Sequence, residues 1–414
     1  MKTTKLFFMA ALALMTAACS NDDNDIAQQP AKAEGIPFTA TISMGESAST
    51  RALTENGTKI EATWATGEKV ALIHNGVKDE MTVSAVNAGV ATITGTITGS
   101  PSGSDAVTII YPSDAADGTT GNVKSDWLST QDGTLEGTSG TSIEEKYDVR
   151  KGSAALNASC TSFDGTVSLT NQNAIFKLTL KDIDGTNDVS ATSVVIGDQT
   201  GTVTTVTPAS ATNVMYVALP TTATTLKFLV TGSDSKKYFN MASSLSLSAS
   251  YYQSTVKLAT VGDVILSTGK CAKAGTSGAA AVIAYLGSDT KDATFKNGLA
   301  IALADEGEMK WSPAKSTCEG KTAITGAKWC LPSEGQWPQM FAANGGNGGS
   351  YTGLNTTITN AGGTTLQEGG LYWSSTEEGG SRADFVELHS GGSVEWWFGS
   401  KDNSGVQARA CLVF

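Results

Sequence analysis

The sequence predicts a multidomain, mostly β protein whose last third is built differently from the rest. Two observations carry this. From Ile36 to Leu258 the apolar runs are short, bounded by Gly, Asn, Asp or Pro, and free of any sustained 3.6-residue period. After Leu258 the composition changes: five of the eight tryptophans lie beyond residue 328, glycines cluster at Gly345–Gly349, and four of the six cysteines fall at 271, 318, 330 and 411.

The chain opens with a segment made to be removed. Lys2 and Lys5 precede an apolar run from Leu6 to Leu14, and small residues lead to Cys19. This is the plan of a secretory signal over residues 1–18, with Cys19 where an acylated lipoprotein cysteine stands. Leu is missing three residues before Cys19, where it is usual. Leu6–Leu14 is too short to span a bilayer, and no later run reaches the roughly 20 apolar residues that spanning needs. Attachment therefore rests on lipid at Cys19. Ser-Asn-Asp-Asp-Asn-Asp follows, and residues 19–34 read as a solvated tether.

A strand comes next. Ile36, Phe38, Ala40, Ile42 and Met44 alternate with polar residues, so they share one face. The segment ends at Arg51, one of only four arginines in the chain. An amphipathic strand followed by an isolated basic residue marks residues 35–51 as a removable first strand. The other reading, open on the residues alone, is a permanent first strand with Arg51 in a loop. Strand-like runs then recur: Lys69–His74, Met81–Val86, Val90–Ile97, Val107–Tyr111, Val167–Leu169, Ala174–Leu180, Val194–Ile196, Val214–Ala218, Leu226–Thr231 and Tyr251–Leu258. Their spacing predicts β-sandwiches. Ser113–Gly140, rich in Gly, Ser and Thr, reads as a long loop, and a boundary near Asp164 divides the region into 35–163 and 164–260.

Arg51-Ala-Leu-Thr-Glu-Asn-Gly and Trp64-Ala-Thr-Gly-Glu-Lys-Val-Ala-Leu-Ile resemble the start of a fimbrillin, the pilin family of Bacteroidetes. Asn173-Ala-Ile-Phe-Lys-Leu-Thr-Leu, Tyr216-Val-Ala-Leu-Pro and Tyr251-Tyr-Gln-Ser-Thr-Val-Lys-Leu resemble its second domain. The resemblance covers roughly residues 35–258. It implies two transthyretin-like sandwiches, export as an outer-membrane lipoprotein to the cell surface, and cutting of the Arg51–Ala52 bond by an arginine-specific protease. It also implies that other pilin subunits are the partners, through donated β-strands, and that the mature protein sits in a pilus. The acidic run after Cys19 resembles the surface-export signals of such lipoproteins.

The last third, residues 262–414, has its own skeleton. Ser312-Pro313 reads as a helix start leading into Ala314–Glu319, and Ser333-Glu-Gly-Gln336 as a capping box leading into Trp337–Ala343. Ala383–His389 and Val394–Phe398 flank a Ser-Gly-Gly-Ser turn, and Val406–Val413 gives a final strand. Trp311…Cys318, Lys328-Trp329-Cys330-Leu331-Pro332-Ser333…Trp337, Tyr372-Trp373-Ser374-Ser375-Thr376 and Ala408-Arg409-Ala410-Cys411 resemble the C-terminal domain of bacterial surface paralogues with a C-type-lectin-like, α+β fold. In an exported chain paired thiols oxidise, and four cysteines allow three pairings. The resemblance implies a Cys318–Cys411 bridge, leaving Cys271 for Cys330 and Cys160 as a free thiol. Cys330 stands where that family usually has Arg.

The composition excludes some functions. A net charge of −12 and a pI near 4.7 leave no basic patch for nucleic acid. The two histidines, His74 and His389, lie in different domains, and no His-Glu-x-x-His, Gly-x-Ser-x-Gly or Cys-x-x-Cys occurs. No catalytic residue, metal ligand or cofactor is predicted. Asp384 with Glu387 is the one imaginable glycosidase pair, and scattered surface acids explain it better. Gly345–Gly349 has no phosphate-loop Lys and reads as a flexible loop; the calcium-dependent sugar motif of true lectins is absent. What remains is a binding face. Glu395-Trp396-Trp397-Phe398 places aromatics on consecutive strand positions, so at least one ring must leave the core. Trp329, Trp337 and Trp373 read as core; His389, Glu395, Trp396, Trp397 and Asp402 are the candidate contacts for a glycan or host protein. The whole chain reads as a pilin carrying a lectin-like head, at a pilus tip. Two other readings stay open: a surface lipoprotein that binds but never polymerises, and, more weakly, an enzyme on the lectin-like fold.

Overall fold

The computed structural model describes residues 35–44, 54–57, 59–118, 120–137 and 140–414. Cys19, Arg51 and Ala52 lie outside the described residues. The chain is a multidomain, β-rich protein with several sheets.

The first sheet runs Thr166–Ser168, Ile36–Ser43, Val90–Ile97, Val77–Asn87, Lys69–His74, Ala106–Tyr111, Arg150–Ala155, Thr170–Asn171. Its hairpins use turns with both central residues at positive φ, such as Asn75-Gly76 (46° and 76°), the geometry that suits tight antiparallel connections. The first and last strands in this order are separated in the chain by Leu169 alone. One short segment therefore pairs with both edges: Thr166–Ser168 runs parallel to Ile36–Ser43, and Thr170–Asn171 antiparallel to Arg150–Ala155. The sheet closes around Phe38, Ile42, Trp64, Leu72, Ile93, Ile109 and Tyr147. Residues 166–171, which the sequence assigned to the second half, thus complete the first sheet.

In the second unit a three-stranded sheet (Val214–Pro220, Asn173–Asp182, Tyr251–Leu258) faces a five-stranded one. The latter runs Lys237–Ser243, Thr225–Gly232, Ala191–Gly197, Thr202–Val206, Thr130–Gln131. Leu178, Leu180 and Val217 from the first meet Val194, Ile196, Phe228 and Val230 from the second in one core. The edge strand Thr130–Gln131 comes from the stretch read as a loop. Buried Gln131 explains its position: its Nε2 donates to the Ala218 carbonyl (2.8 Å), and its Oε1 accepts from the Ala218 N–H (2.8 Å). Tyr147 of the first unit donates to the Thr130 carbonyl.

The last third holds a six-stranded and a five-stranded sheet with three helices, α1 (Trp311–Glu319), α2 (Gln336–Phe341) and α3 (Thr352–Asn360). The capping box forms: Gln336 N–H donates to Ser333 Oγ (3.2 Å) and Ser333 N–H to Gln336 Oε1 (2.9 Å). Helix α1 begins at Trp311, two positions earlier than the Ser312-Pro313 start that the sequence suggested, with Lys310 as its N-cap and no side-chain cap. Trp311, Trp329, Trp337 and Trp373 are buried. Phe414 packs on Phe239 of the second unit, ring centroids 4.6 Å apart, in a core shared by the two units.

The expected last strand is broken in two, Gln407–Ala408 in one sheet and Cys411–Val413 in the other. Arg409 lies at the break and is fully buried. Its Nε donates to Asp305 (2.7 Å), Nη1 to the Ala302 carbonyl (2.8 Å) and Nη2 to the Thr364 carbonyl (2.7 Å). Burial pushes the Asp305 carboxyl up, and the Arg409 guanidinium opposes that shift. Removing the cation strands a buried carboxylate, so Arg409→Met is expected to cost the C-terminal unit about 3–5 kcal/mol. Chemical denaturation followed by tryptophan fluorescence measures this; a loss below about 1 kcal/mol would contradict the role.

Candidate functional site

The first strand is the strand that the alternation marked. Ile36–Ser43 lies inside the closed sheet, antiparallel to Val90–Ile97 from Ile36↔Ile97 to Ser43↔Val90. Phe38, Ala40, Ile42 and Met44 are buried, and Ile36 packs on the same core half-exposed. Phe38 meets Phe163 edge-on at 5.0 Å. The Thr39 N–H donates to the Thr161 carbonyl (2.9 Å), and Thr41 and Thr166 hydroxyls are 2.9 Å apart. Chemically, the site is a slot for one extended segment with apolar residues at every second position and a hydrogen-bonding row on each side.

The hairpin Thr54–Asn56/Lys59–Glu61 begins three residues beyond Arg51. Its Glu55 carboxylate lies on the three-stranded sheet of the second unit. It accepts from Lys177 Nζ (2.7 and 2.9 Å), Tyr216 Oη (2.7 Å), Tyr251 Oη (2.9 Å) and Gln253 Nε2 (2.8 Å), and Gln253 also donates to the Gly57 carbonyl (2.7 Å). The Lys177 ammonium, then the Tyr216 hydroxyl, hold the Glu55 carboxyl at about 2, against an ordinary value of 4.5. No spacing in the sequence signals this cluster, because its members come from three strands and a hairpin.

The terminal hairpin presents the second candidate face. Val394–Ser400 is an edge strand, paired on one side with Arg382–Leu388. Trp396 is half-buried against the core, whereas Trp397 and Phe398 are exposed, 52% and 54%. At least one ring leaves the core, as the consecutive aromatics required. Arg382 stacks over Phe398 at 5.1 Å. His389 Nε2 lies 3.4 Å from Glu395, and the register sets Glu387 opposite Glu395. The ligand atoms of Glu387, His389 and Glu395 fall within 4.8 Å of one another, a set that can hold a cation. The sequence did not bring this set out, since Glu387 was read only as a surface acid. Asp402 stands apart, paired with Lys310 at 2.9 Å.

Asp384 and Glu387 sit three apart on one strand and so point to opposite faces. Burial, then Glu334 and Glu378, push the Asp384 carboxyl up to about 6. His74 is buried beside Asp79 at 3.1 Å in the first unit. The sheet register places the cysteines of the last third. Cys160, Cys271, Cys318, Cys330 and Cys411 are all free thiols. Cys330 is the cross-strand neighbour of Cys411, because Lys328–Cys330 pairs with Cys411–Val413. Cys271 lies on a different strand of that sheet, paired with Ile265.

No protein-family model and no curated protein matches the chain. Among solved structures it is similar to a fimbrial assembly protein from Parabacteroides distasonis, at 11% identity over 53% of this chain and 90% of the other, TM-score 0.29. It is also similar to two proteins each called a putative cell adhesion protein. The one from Bacteroides ovatus shares 13% identity over 54% of this chain and 92% of the other, TM-score 0.33. The one from Bacteroides uniformis shares 14% over 55% and 94%, TM-score 0.30. Likeness this loose assigns no role to a residue.

Because the native Glu55 value is depressed, its contribution to stability is full above pH about 4.5 and is lost as pH falls through about 2. Glu55→Gln is expected to remove about 1–3 kcal/mol of local stability. Hydrogen exchange at neutral pH should show faster exchange across residues 54–61 with the first sheet unchanged; equal protection in both proteins would contradict the anchor.

Proposed function

We propose that the protein is an exported, lipid-anchored pilin of the fimbrillin type. In this reading the first two units, meeting near residue 171 with Thr130–Gln131 lent to the second, are transthyretin-like sandwiches, and 262–414 is a C-type-lectin-like head. Cys19 carries the lipid that ties the chain to the outer membrane before maturation. Cleavage of Arg51–Ala52 frees the first strand, and a strand from another subunit replaces it. The observation that carries the reading is the slot itself: a strand with apolar residues at alternate positions, inside a closed sheet, followed within eight residues by Arg51. Emptying it opens an apolar groove with two unpaired rows, which β-augmentation fills.

A tip position and a binding head complete the proposal. Cys411–Val413 lies between Gly298–Ala302 and Lys328–Cys330, so this segment is not free to donate to a neighbour. The half-buried Trp396 and exposed Trp397, beside His389 and Glu395, then form the face for a glycan or host protein.

Arg51→Ala is expected to leave the first strand in its slot: the subunit folds and reaches the surface but stays out of pilus-sized complexes. Entry into such complexes at the wild-type level would contradict strand replacement. For the head, glycan and extracellular-matrix arrays probed with the full chain test the hairpin. Trp396→Ala or Trp397→Ala should weaken binding at least about thirtyfold, the effect of removing about 2 kcal/mol at a binding centre. Chelator should leave binding unchanged. Binding that survives both substitutions would sink this face, and loss with EDTA would move recognition to the Glu387, His389 and Glu395 set.

A further inference from the structure

The second and C-terminal units meet along a cleft of about 750 Å³, far from the terminal hairpin in sequence and formed by different strands. Its floor is the outer face of the five-stranded sheet, and its far wall is the segment around Tyr285 and residues 294–297. Lys227, on Thr225–Gly232, lies in this floor and is only 8% exposed. Its ammonium stands 4.9 Å from the centre of the Phe295 ring, across the junction. It has no hydrogen-bond or ion-pair partner among the described residues.

With the side chain so nearly covered, the unpartnered ammonium is poorly hydrated, and a ring face offsets only part of that cost. The stem has close neighbours: a Cβ added at Gly326 would come within 3.2 Å of Lys227 Cε. Packing alone would be served by Met or Leu, which carry no charge to bury. Two further lysines, Lys237 and Lys296, stand exposed at the mouth. The one lining acid, Asp198, is turned onto its own loop: its Oδ1 accepts from the Thr200 N–H (2.6 Å), the Thr200 hydroxyl (2.6 Å) and the Gly201 N–H (3.2 Å). The cleft is thus locally cationic in a chain of net charge −12. The rest of its wall is rich in hydroxyls and amides, with Thr225, Thr294, Asn297 and Thr325 beside the Tyr285 and Phe295 rings.

Rings for a sugar face, hydroxyls and amides for its oxygens, and a partly desolvated cation for an acid make one ligand chemistry. We propose that this cleft binds an acidic saccharide, a sugar bearing a carboxylate or a sulfate, with Lys227 pairing the anionic group. Burial already pulls the Lys227 ammonium below the usual lysine range, and a bound anion reverses that pull. The site is independent of strand replacement and of the Trp397 face.

The test is calorimetric titration of the full chain with four probes: a glucuronate-containing disaccharide, a sulfated disaccharide, a neutral disaccharide and inorganic sulfate. At least one acidic sugar should bind at least about tenfold more tightly than the neutral sugar and than sulfate; which one distinguishes the carboxylate from the sulfate. Lys227→Met should lower that affinity at least about tenfold. Thr294→Trp, at an exposed position on the rim, should do the same by filling the mouth, and it serves if the buried substitution disturbs folding. Lys69→Met, which removes an exposed lysine of the first sheet, should change nothing. No binding by either acidic sugar, equal binding of neutral and acidic sugars, sulfate binding as well as the sugars, or full binding by both Lys227→Met and Thr294→Trp would each overturn the proposal.

Discussion

The architecture depends on one β-ladder, that between Ile36–Ser43 and its two neighbours. With the strand in place residues 166–171 bridge the two ends of the first sheet, pairing with Thr41–Ser43 on one side and Arg150–Lys151 on the other. Without it, the core residues around Ile93 and Phe163 lose a wall and both flanking strands expose unpaired backbone. Burying a side chain such as Phe38 or Ile42 contributes roughly 1.5–3 kcal/mol, so the strand does not leave spontaneously. A replacement must restore the same alternation, since a one-residue slip turns every apolar side chain outward. The constraint that holds the fold also specifies what can substitute for the missing piece.

The other units are arranged so that this opening need not spread. Glu55 anchors the chain beyond Arg51 to the second unit, not to the first sheet, through five short hydrogen bonds from four side chains. A cut at Arg51 therefore separates a strand from a segment already held elsewhere. Gln131 and Phe414 couple the second unit to its neighbours on either side, one by amide hydrogen bonds and one by ring packing. The cleft at Lys227 lies along the second of these junctions, away from the first strand.

What the sequence made legible is what local patterning controls. The period-2 alternation of Ile36–Met44, the Ser333–Gln336 capping box, the paired strands of the terminal hairpin and the buried Trp329, Trp337 and Trp373 all depend on neighbours close in the chain or on plain hydrophobicity. Helix α3 was missed because Thr-Gly-Leu-Asn-Thr-Thr-Ile-Thr-Asn has weak intrinsic helix propensity; Leu354 and Ile358, both buried, hold it by packing. The segment 166–171 could not be placed because one of its partners, Thr41–Ser43, lies far away in the chain and strands of two or three residues carry no period. Glu55, Gln131 and Lys227 share that difficulty. Each is a polar residue whose meaning comes from partners, or from the want of one, more than 60 residues distant. The cross-strand placement of Cys330 opposite Cys411 has the same long-range origin, set by the register of two strands more than 80 residues apart.

The central claim is that the first strand is removed at Arg51 and replaced. Intact mass and N-terminal peptide mapping of the surface-assembled protein test it most directly. The account predicts an assembled chain that begins at Ala52, carries no lipid, and lacks residues 35–51. An assembled chain that begins at lipid-modified Cys19 and retains Gly35 through Arg51 would contradict it.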